Sequence, residues 1–174
     1  LKPTHMIGGD ARLAYGFNHD EAERAFREAA RLDKKCAICW WGVALVLGPN
    51  INLPIDPERN MKAVQAIAQA KSRESSASPV ERALIDALSV RYSIDPAADR
   101  TKLDEAYAAK MKTVYERFPL DDDVATLYAE SLMDTRPWDL YDPKTGEARP
   151  ETPVIVATLE RVMAADPKHP GANH

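Results

Sequence analysis

The stretch NHDEAERAFREAARLDKKCAICWWGVALVL, residues 18–47, decides the fold. Its first half repeats small and aromatic residues at offsets of three and four, which places them on one face of an α-helix. Asn18 or Asp20 is suited to cap this helix, and acidic residues in the first turn complement the helix dipole. The stretch therefore predicts the second helix of one hairpin, a tight turn at residues 32–35, and the first helix of the next hairpin. The residues that share the first helical face are Ala22, Ala25, Phe26, Ala29 and Ala30.

This pattern resembles the tetratricopeptide repeat, a helix–turn–helix unit of roughly 34 residues that stacks into a superhelix. Lys34 stands where the family usually has a proline. Longer strings, such as WWGVALVLGPNIN and LMDTRPWDLYDP, resemble a group of bacterial repeat proteins of unassigned activity. The resemblance spans nearly the whole chain and implies an all-α fold, with antiparallel helix hairpins stacked as a right-handed α-solenoid. The residues that carry it in the opening stretch are Ala22, Phe26, Ala29, Asp33, Ile38, Trp41, Gly42 and Leu45.

The composition agrees with helices and excludes several classes of function. The 174 residues are 45% hydrophobic, 29% charged and only 7% aromatic, as in alanine-rich helical proteins. A net charge of -4 argues against a nucleic-acid partner, because phosphate binding needs clustered positive charge. No apolar run approaches the roughly 18–20 residues that span a bilayer. We therefore expect a single domain over residues 1–174, with no nucleic-acid partner and no membrane span.

Two irregular loops interrupt the helical pattern. Residues 48–57 contain three prolines and a glycine, which cannot continue a helix, and residues 136–152 form a longer excursion. In the first loop, Asn50 and Asn52 either bond to nearby backbone in a turn, which we favour, or form the polar wall of a ligand pocket. In the second loop, Trp138 argues against disorder.

The remaining helices have clear start and stop signals. Ser78 followed by Pro79 predicts the start of a helix that continues to Tyr92. Residues 121–123, three aspartates, are best explained as a cap that compensates a helix dipole, since a calcium loop needs more oxygen ligands and a glycine. We count seven or eight helices in antiparallel pairs. The last would begin at residue 170, so we expect an open C-terminal helical face that further repeats or another subunit cover.

Cys36 and Cys39 are the only cysteines. A pair at this spacing can be a redox pair, half of a zinc site or two packed thiols. No strand precedes it and no second pair follows. We therefore favour packed thiols over a disulfide, and a disulfide over a metal site.

His19 and His174 are the candidate metal ligands, with His169 less favoured. No two histidines have the spacing of a helical zinc site. The ordinary role for His19 is that of a solvent-facing or capping residue. His174 could belong to a site whose other half lies in helices beyond this sequence.

Charged residues gather around Trp138. Glu130 and Asp134, four residues apart at a helix end, could act as an acid and a base or hold a metal. We favour instead that Arg136 pairs with Asp134 or Asp139 and fixes the start of the loop. No G-x-S-x-G, Walker, Rossmann or H-E-x-x-H motif occurs, so we expect no enzymatic activity.

The leading hypothesis is a helical-repeat scaffold that binds a protein or peptide partner in a concave groove, without a cofactor. A competing hypothesis is a periplasmic protein, with an enzyme that uses the carboxylate pair above as one option, that binds a metal or small ligand. Its ligand-binding residues would be His19, Asn50, Asn52, Glu130, Asp134 and His174. A third is a structural subunit of a larger assembly. Leu1 in place of an initiator methionine, and the resemblance to exported proteins, favour a bacterial periplasmic or secreted location and a longer chain. The candidate binding residues are Trp40, Asn50, Asn52, Tyr128, Glu130, Asp134, Arg136 and Trp138.

Overall fold

The structure, a computed structural model, describes residues 9–174 as a succession of helices. Within that range there are nine α-helices, one 3₁₀ turn at Glu74–Ser76, and two isolated β-bridges in place of strands. The all-α prediction is therefore confirmed. The helices are α1 Gly9–Tyr15, α2 His19–Leu32, α3 Ala37–Leu47, α4 Pro57–Ser72, α5 Pro79–Ser89, α6 Arg100–Arg117, α7 Asp122–Asp134, α8 Thr152–Ala165 and α9 Pro170–Asn173.

Successive helices pack on one another along the chain. Helix α3 lies between α2 and α4, and α7 lies between α6 and α8. Helix α9 leaves this order, because it contacts α1 and α7 as well as α8. The first and last described helices therefore meet, and they partly enclose the space in front of α7. Among residues 9–174, no helix is both long enough and apolar enough to cross a membrane.

Side-chain caps set most helix starts. Ser78 accepts a hydrogen bond from the backbone N–H of Glu81, whose carboxylate accepts one from the backbone N–H of Ser78. The Asp121 carboxylate accepts from the backbone N–H of Val124 at 3.0 Å, which confirms the predicted aspartate cap. Asn18 occupies the N-cap position of α2 but makes no side-chain cap bond.

The core centres on the α3 residues that carry the resemblance. The Trp41 ring is fully buried, and its Nε1–H donates to the Leu84 carbonyl at 3.1 Å. Gly42 lies against the Phe26 ring, so closely that a Cβ built on it would be 2.6 Å from the ring carbons. A side chain at position 42 would therefore separate α2 from α3.

Cys36 and Cys39 are joined by a disulfide. The favoured prediction of two free packed thiols is therefore wrong. The error has a physical reason: Cys36 is the N-cap of α3, and one helical turn brings Cys39 back over it. The bond needs neither a preceding strand nor a second cysteine pair.

Both predicted loops are ordered by their own hydrogen bonds. In the first, Asn50 and Leu53 exchange backbone hydrogen bonds of 3.0 and 3.1 Å. In the second, Tyr141 and Ala148 form a β-bridge, and Gly146 turns the chain with φ +73°. Backbone at positive φ favours glycine, yet Trp138 also adopts it, with φ +61°. The second loop therefore holds the Trp138 side chain at a defined place on the surface.

Candidate functional site

Two adjoining cavities open where α1, α7 and the first loop meet. The larger, which we call the cleft, has a volume of about 400 Å³ and receives side chains from α1, α7, α8, α9 and both loops. The smaller has a volume of about 30 Å³ and lies between α1, α2, α3 and α7. Tyr15 and Glu130 line both cavities. Glu130 therefore stands at their junction.

Most of the side chains singled out in the sequence meet at these cavities. His19 and Asn50 line the smaller one. The others line the cleft, although they come from four separate segments of the chain: Asn52, Glu130, Asp134, Trp138 and His174.

Three candidate residues lie outside both cavities: Trp40, Tyr128 and Arg136. Trp40 is half-buried under the Arg73 guanidinium, whose central carbon is 5.7 Å from the ring centre. Tyr128 is only 6% exposed and stacks on Tyr115 with ring centres 5.3 Å apart. The Tyr128 ring is thus used in packing α7, and a binding role for this residue stays a prediction.

A buried ionic network lies beside the cleft. Arg91, which follows α5, is 2% exposed. Its Nε donates to Asp104 at 2.9 Å and its Nη2 donates to Asp134 at 2.8 Å. Arg100 donates to the same Asp104 carboxylate at 3.1 Å. Two arginines and two aspartates therefore balance one another, with Arg91 and Asp134 buried and Arg100 partly exposed.

Of the two predicted partners of Arg136, Asp139 does pair with it, whereas Asp134 belongs to this network. Arg136 does approach Asp139, with 3.6 Å between Nη1 and Oδ2, but its closer partner is Glu151 at 2.8 Å. Asp134 pairs with Arg91 instead. Arg91 was not among the residues predicted from the sequence. The only sequence feature that marks it is an isolated arginine after an apolar helix.

Glu130 is the exception to this charge balance. Its carboxylate forms no hydrogen bond or ion pair with any residue between 9 and 174, and the residue is half-buried. Burial raises the pKa of Glu130 to about 7, the negative charge of Asp134 adds to the rise, and Arg91 opposes it. Glu130 is thus a carboxyl group whose pKa lies near neutral pH, at the junction of the two cavities.

Asp134 differs from Glu130 in being partnered on one side. Its Oδ2 accepts from Arg91, while Oδ1 is buried without a hydrogen-bond partner in the described chain. Burial raises the pKa of Asp134, and both Arg91 and the nearby backbone N–H of Ile51 act to lower it. Asp134 therefore sets a negative potential beside Glu130.

The first loop supplies a polar wall through a self-bonded turn. Asn50 Oδ1 accepts from the backbone N–H groups of Asn52 and Leu53 at 2.9 and 3.1 Å, which confirms the favoured turn. Its Nδ2 donates to His19 Nε2 at 3.2 Å, so the His19 ring proton sits on Nδ1. No residue in the described range accepts a hydrogen bond from that nitrogen. Burial, and secondarily Arg59, lowers the pKa of His19, which keeps this ring neutral at pH 7.

The two candidate metal ligands are brought close to each other. The Phe17 ring contacts both His19 and His174, with ring centres 5.4 and 4.7 Å apart. In residues 9–174, however, no three histidine, cysteine, aspartate or glutamate side chains are grouped so as to hold a metal ion. A metal role for His19 or His174 stays a prediction.

Comparisons of the chain with protein-family models, curated proteins and solved structures find no match. The resemblance to tetratricopeptide repeats therefore depends on the residues quoted above. A function has to be argued from the geometry of the cleft.

Proposed function

We propose that this protein binds a small organic cation in the cleft. The observation that carries the proposal is Glu130, a half-buried carboxylate without a partner in the described residues, placed where the cleft and the smaller cavity join. Such a group loses hydration on burial and gains nothing in return. A bound ammonium or guanidinium group would supply the missing charge and hydrogen bonds.

The charges around Glu130 favour a cation over an anion. Among residues 9–174, no lysine or arginine lines the cleft, and Arg91, which lines the smaller cavity, is already engaged by Asp104 and Asp134. The network therefore leaves one carboxylate in excess. An anionic ligand would meet that excess charge with no free cation to offset it.

The size and the aromatic walls of the cleft fit an organic cation. A volume of about 400 Å³ is within the roughly 300–1,000 Å³ typical of small-ligand sites. Phe17 and Trp138 line it, and aromatic faces attract cations such as alkylammonium groups. The same faces would cover the apolar part of a diamine or a quaternary amine.

Titration calorimetry with putrescine, agmatine and choline tests the proposal, with glutarate as an anion of similar size. We expect at least one of the three cations to bind and glutarate not to bind. Binding should strengthen about tenfold between pH 6 and pH 8, because protonated Glu130 must release its proton, and heats should vary with the buffer used. Glu130→Gln should weaken binding about tenfold, while Glu105→Gln, at an exposed position on α6, should leave it unchanged. Failure of all three cations to bind, or equal binding by Glu130→Gln, would contradict the proposal.

A peptide ligand is the second candidate, and the second loop favours it. Trp138 is 79% exposed and Tyr141 is 52% exposed, so the side of the cleft formed by this loop offers aromatic surface to a longer partner. Peptides with an internal lysine or arginine, compared with free putrescine and agmatine, separate the two cases. Tighter binding of the peptides, lost in Trp138→Ala, would place a protein segment in the cleft. Equal affinities would indicate that the small cation alone is recognised.

The architecture and setting form part of the same proposal. The hairpins wind as a right-handed tetratricopeptide-type solenoid without enzymatic activity, and further repeats or a subunit cover the C-terminal helical face. Packing of successive helices and the close Phe26–Gly42 contact support the repeat. The Cys36–Cys39 disulfide fits an oxidising compartment such as the bacterial periplasm or the cell exterior. The role of structural subunit stays a prediction that mass measurement in solution would test.

A further inference from the structure

The Cys36–Cys39 disulfide lies at the start of α3. Cys36 is the N-cap, and its Sγ accepts a hydrogen bond from the Cys39 N–H at 3.2 Å. Both cysteines are half-buried, so the bond is not sealed inside the core. Neither lines the cleft or the smaller cavity. The cation site therefore makes no use of this disulfide.

The disulfide contributes less to the stability of the fold than a bond that closes a long loop would. Its cysteines are three positions apart, and closing so short a loop removes little conformational freedom from the unfolded chain. Helix α3 is held independently, by the buried Trp41 ring and by its packing on α2 and α4. Reduction of the bond therefore leaves the contacts that position α3 in place.

The surroundings of Cys36 favour its thiolate once the bond is reduced. A thiolate at a helix N-terminus interacts with unpaired backbone N–H groups and the positive end of the helix dipole. The first turn of α3 has no acidic residue, and Lys34 and Lys35 precede the motif. From the connector after α4, Arg73 donates to the Lys34 carbonyl at 2.8 Å. The nearest acidic residue along the chain is Asp33, whose carboxylate accepts a hydrogen bond from the Lys35 N–H.

From this placement we infer that Cys36 and Cys39 form a thiol–disulfide exchange site that reacts reversibly with external dithiols and disulfides. In the reducing direction, a thiolate of the dithiol attacks Cys36 Sγ, and Cys39 leaves as a thiolate that takes up a proton. The second thiolate of the reagent then breaks the mixed disulfide and releases Cys36 as a thiolate. The reagent becomes a disulfide while the protein gains two electrons and two thiols.

Alkylation of the Cys39→Ser variant by iodoacetamide between pH 5 and pH 10 measures the remaining Cys36 thiol. We expect the midpoint of the pH profile to lie at least one pH unit below that of the same variant in concentrated urea. One unit corresponds to about eightfold more thiolate at pH 7. The Cys36→Ser variant is the matched control, and its Cys39 thiol should show no such shift. Coinciding midpoints for Cys36 in buffer and in urea would overturn the inference.

A second measurement uses the wild-type chain, in case the variants do not fold. The protein is equilibrated with mixtures of glutathione and glutathione disulfide, alkylated, and weighed by mass spectrometry while far-ultraviolet circular dichroism follows the helices. Reversible conversion between the disulfide and dithiol forms with an unchanged helical signal supports the exchange site. Reduction that occurs only when helical structure is lost would show a purely structural bond and overturn it.

Discussion

Arg91 joins three helical segments through two carboxylates. Its guanidinium lies over the Tyr107 ring, 4.7 Å from the centre, and is shared between Asp104 on α6 and Asp134 on α7. An ion pair removed from water is strong only while every member is present, since a single partner left behind is a buried uncompensated charge. The residue is therefore more important for the integrity of the cleft wall than its place outside any helix suggests.

Replacing Arg91 by methionine should cost about 3–5 kcal/mol of unfolding free energy, because Asp104 and Asp134 lose their shared cation. Urea denaturation followed by circular dichroism at pH 7 measures the change. Arg149→Met is the matched control: Arg149 donates to Asp139 at 2.8 Å in the partly exposed second loop, and its loss should cost under about 1 kcal/mol. Similar costs for the two variants would show that burial does not set the value of these ion pairs.

Glu130 makes stability depend on pH. Its pKa rises from 4.5 in the unfolded chain to about 7 in the folded one, so the folded state binds the proton more tightly. Its contribution is fully present below pH 4.5, declines as the pH rises, and is lost above about pH 7. Glu130→Gln should therefore be more stable than the wild type by about 1–3 kcal/mol at pH 8, and similar to it at pH 4. Denaturation at the two pH values tests this, and an equal difference at both would rule out titration of Glu130 as the cause.

The contrast between Glu130 and Arg91 shows how far single residues could be predicted. Glu130 and Asp134 are four positions apart on one helix, so their spacing in the sequence predicts that they are neighbours. Arg91 lies 43 positions from Asp134, and the two are brought together by the tertiary fold, in which α6 packs on both α5 and α7. The carboxylates of the site could therefore be predicted from spacing, whereas the cation that balances one of them could not.

At the level of the helices, α3 is the element on which the others are built. It packs on α2, α4 and α5, and seven of its residues are buried. Gly42 lets α2 approach it across the Phe26 ring. The hairpin junction is thus specified by one small residue facing one large one.

Gly42→Ala should destabilise the protein by about 1–3 kcal/mol, since the added methyl group would overlap the Phe26 ring. Thermal and urea denaturation measure the loss. In the double variant with Phe26→Leu, which removes part of the ring, the cost of the alanine should be smaller than in the wild-type background. Purely additive losses would indicate that the two positions do not interact.

Capping chemistry predicted the helix starts correctly. It did not predict a helix end that depends on a tertiary contact. Ser78 and Asp121 start helices as their side-chain chemistry predicts. The helix predicted to continue to Tyr92 ends at Ser89, because Tyr92 turns inward and its hydroxyl donates to the Ala44 carbonyl at 2.6 Å. A bond across 48 positions has no counterpart in local sequence.

For the molecule as a whole, the meeting of α1 and α9 shapes the cleft. Tyr15 donates a hydrogen bond to Asp123 at 2.7 Å, and His169 lies 3.2 Å from the same oxygen. Gly171 lies against the Tyr15 ring, where a Cβ would come within 2.5 Å. Stacking of helix pairs predicts neighbours along the chain, but it does not predict this contact between distant helices.

Gly171→Ala should push α9 away from α1, lower stability by about 1–2 kcal/mol, and loosen the wall of the cleft that α9 forms. Hydrogen exchange followed by mass spectrometry should then be faster in peptides from α1 and α9 than in the wild type. Lys168→Ala, at an exposed position just before α9, is the control and should leave exchange unchanged. Unchanged exchange in Gly171→Ala would mean that the two helices do not depend on each other.

Trp138 turns the cleft into an optical reporter of its own occupancy. Trp41 is buried and Trp40 is half-buried, so Trp138 is the tryptophan whose fluorescence responds most to water and to added quenchers. A molecule that enters the cleft would shield this indole and shift its emission toward shorter wavelengths. Compounds could therefore be screened on the unlabelled protein, with Trp138→Phe as the silent reference.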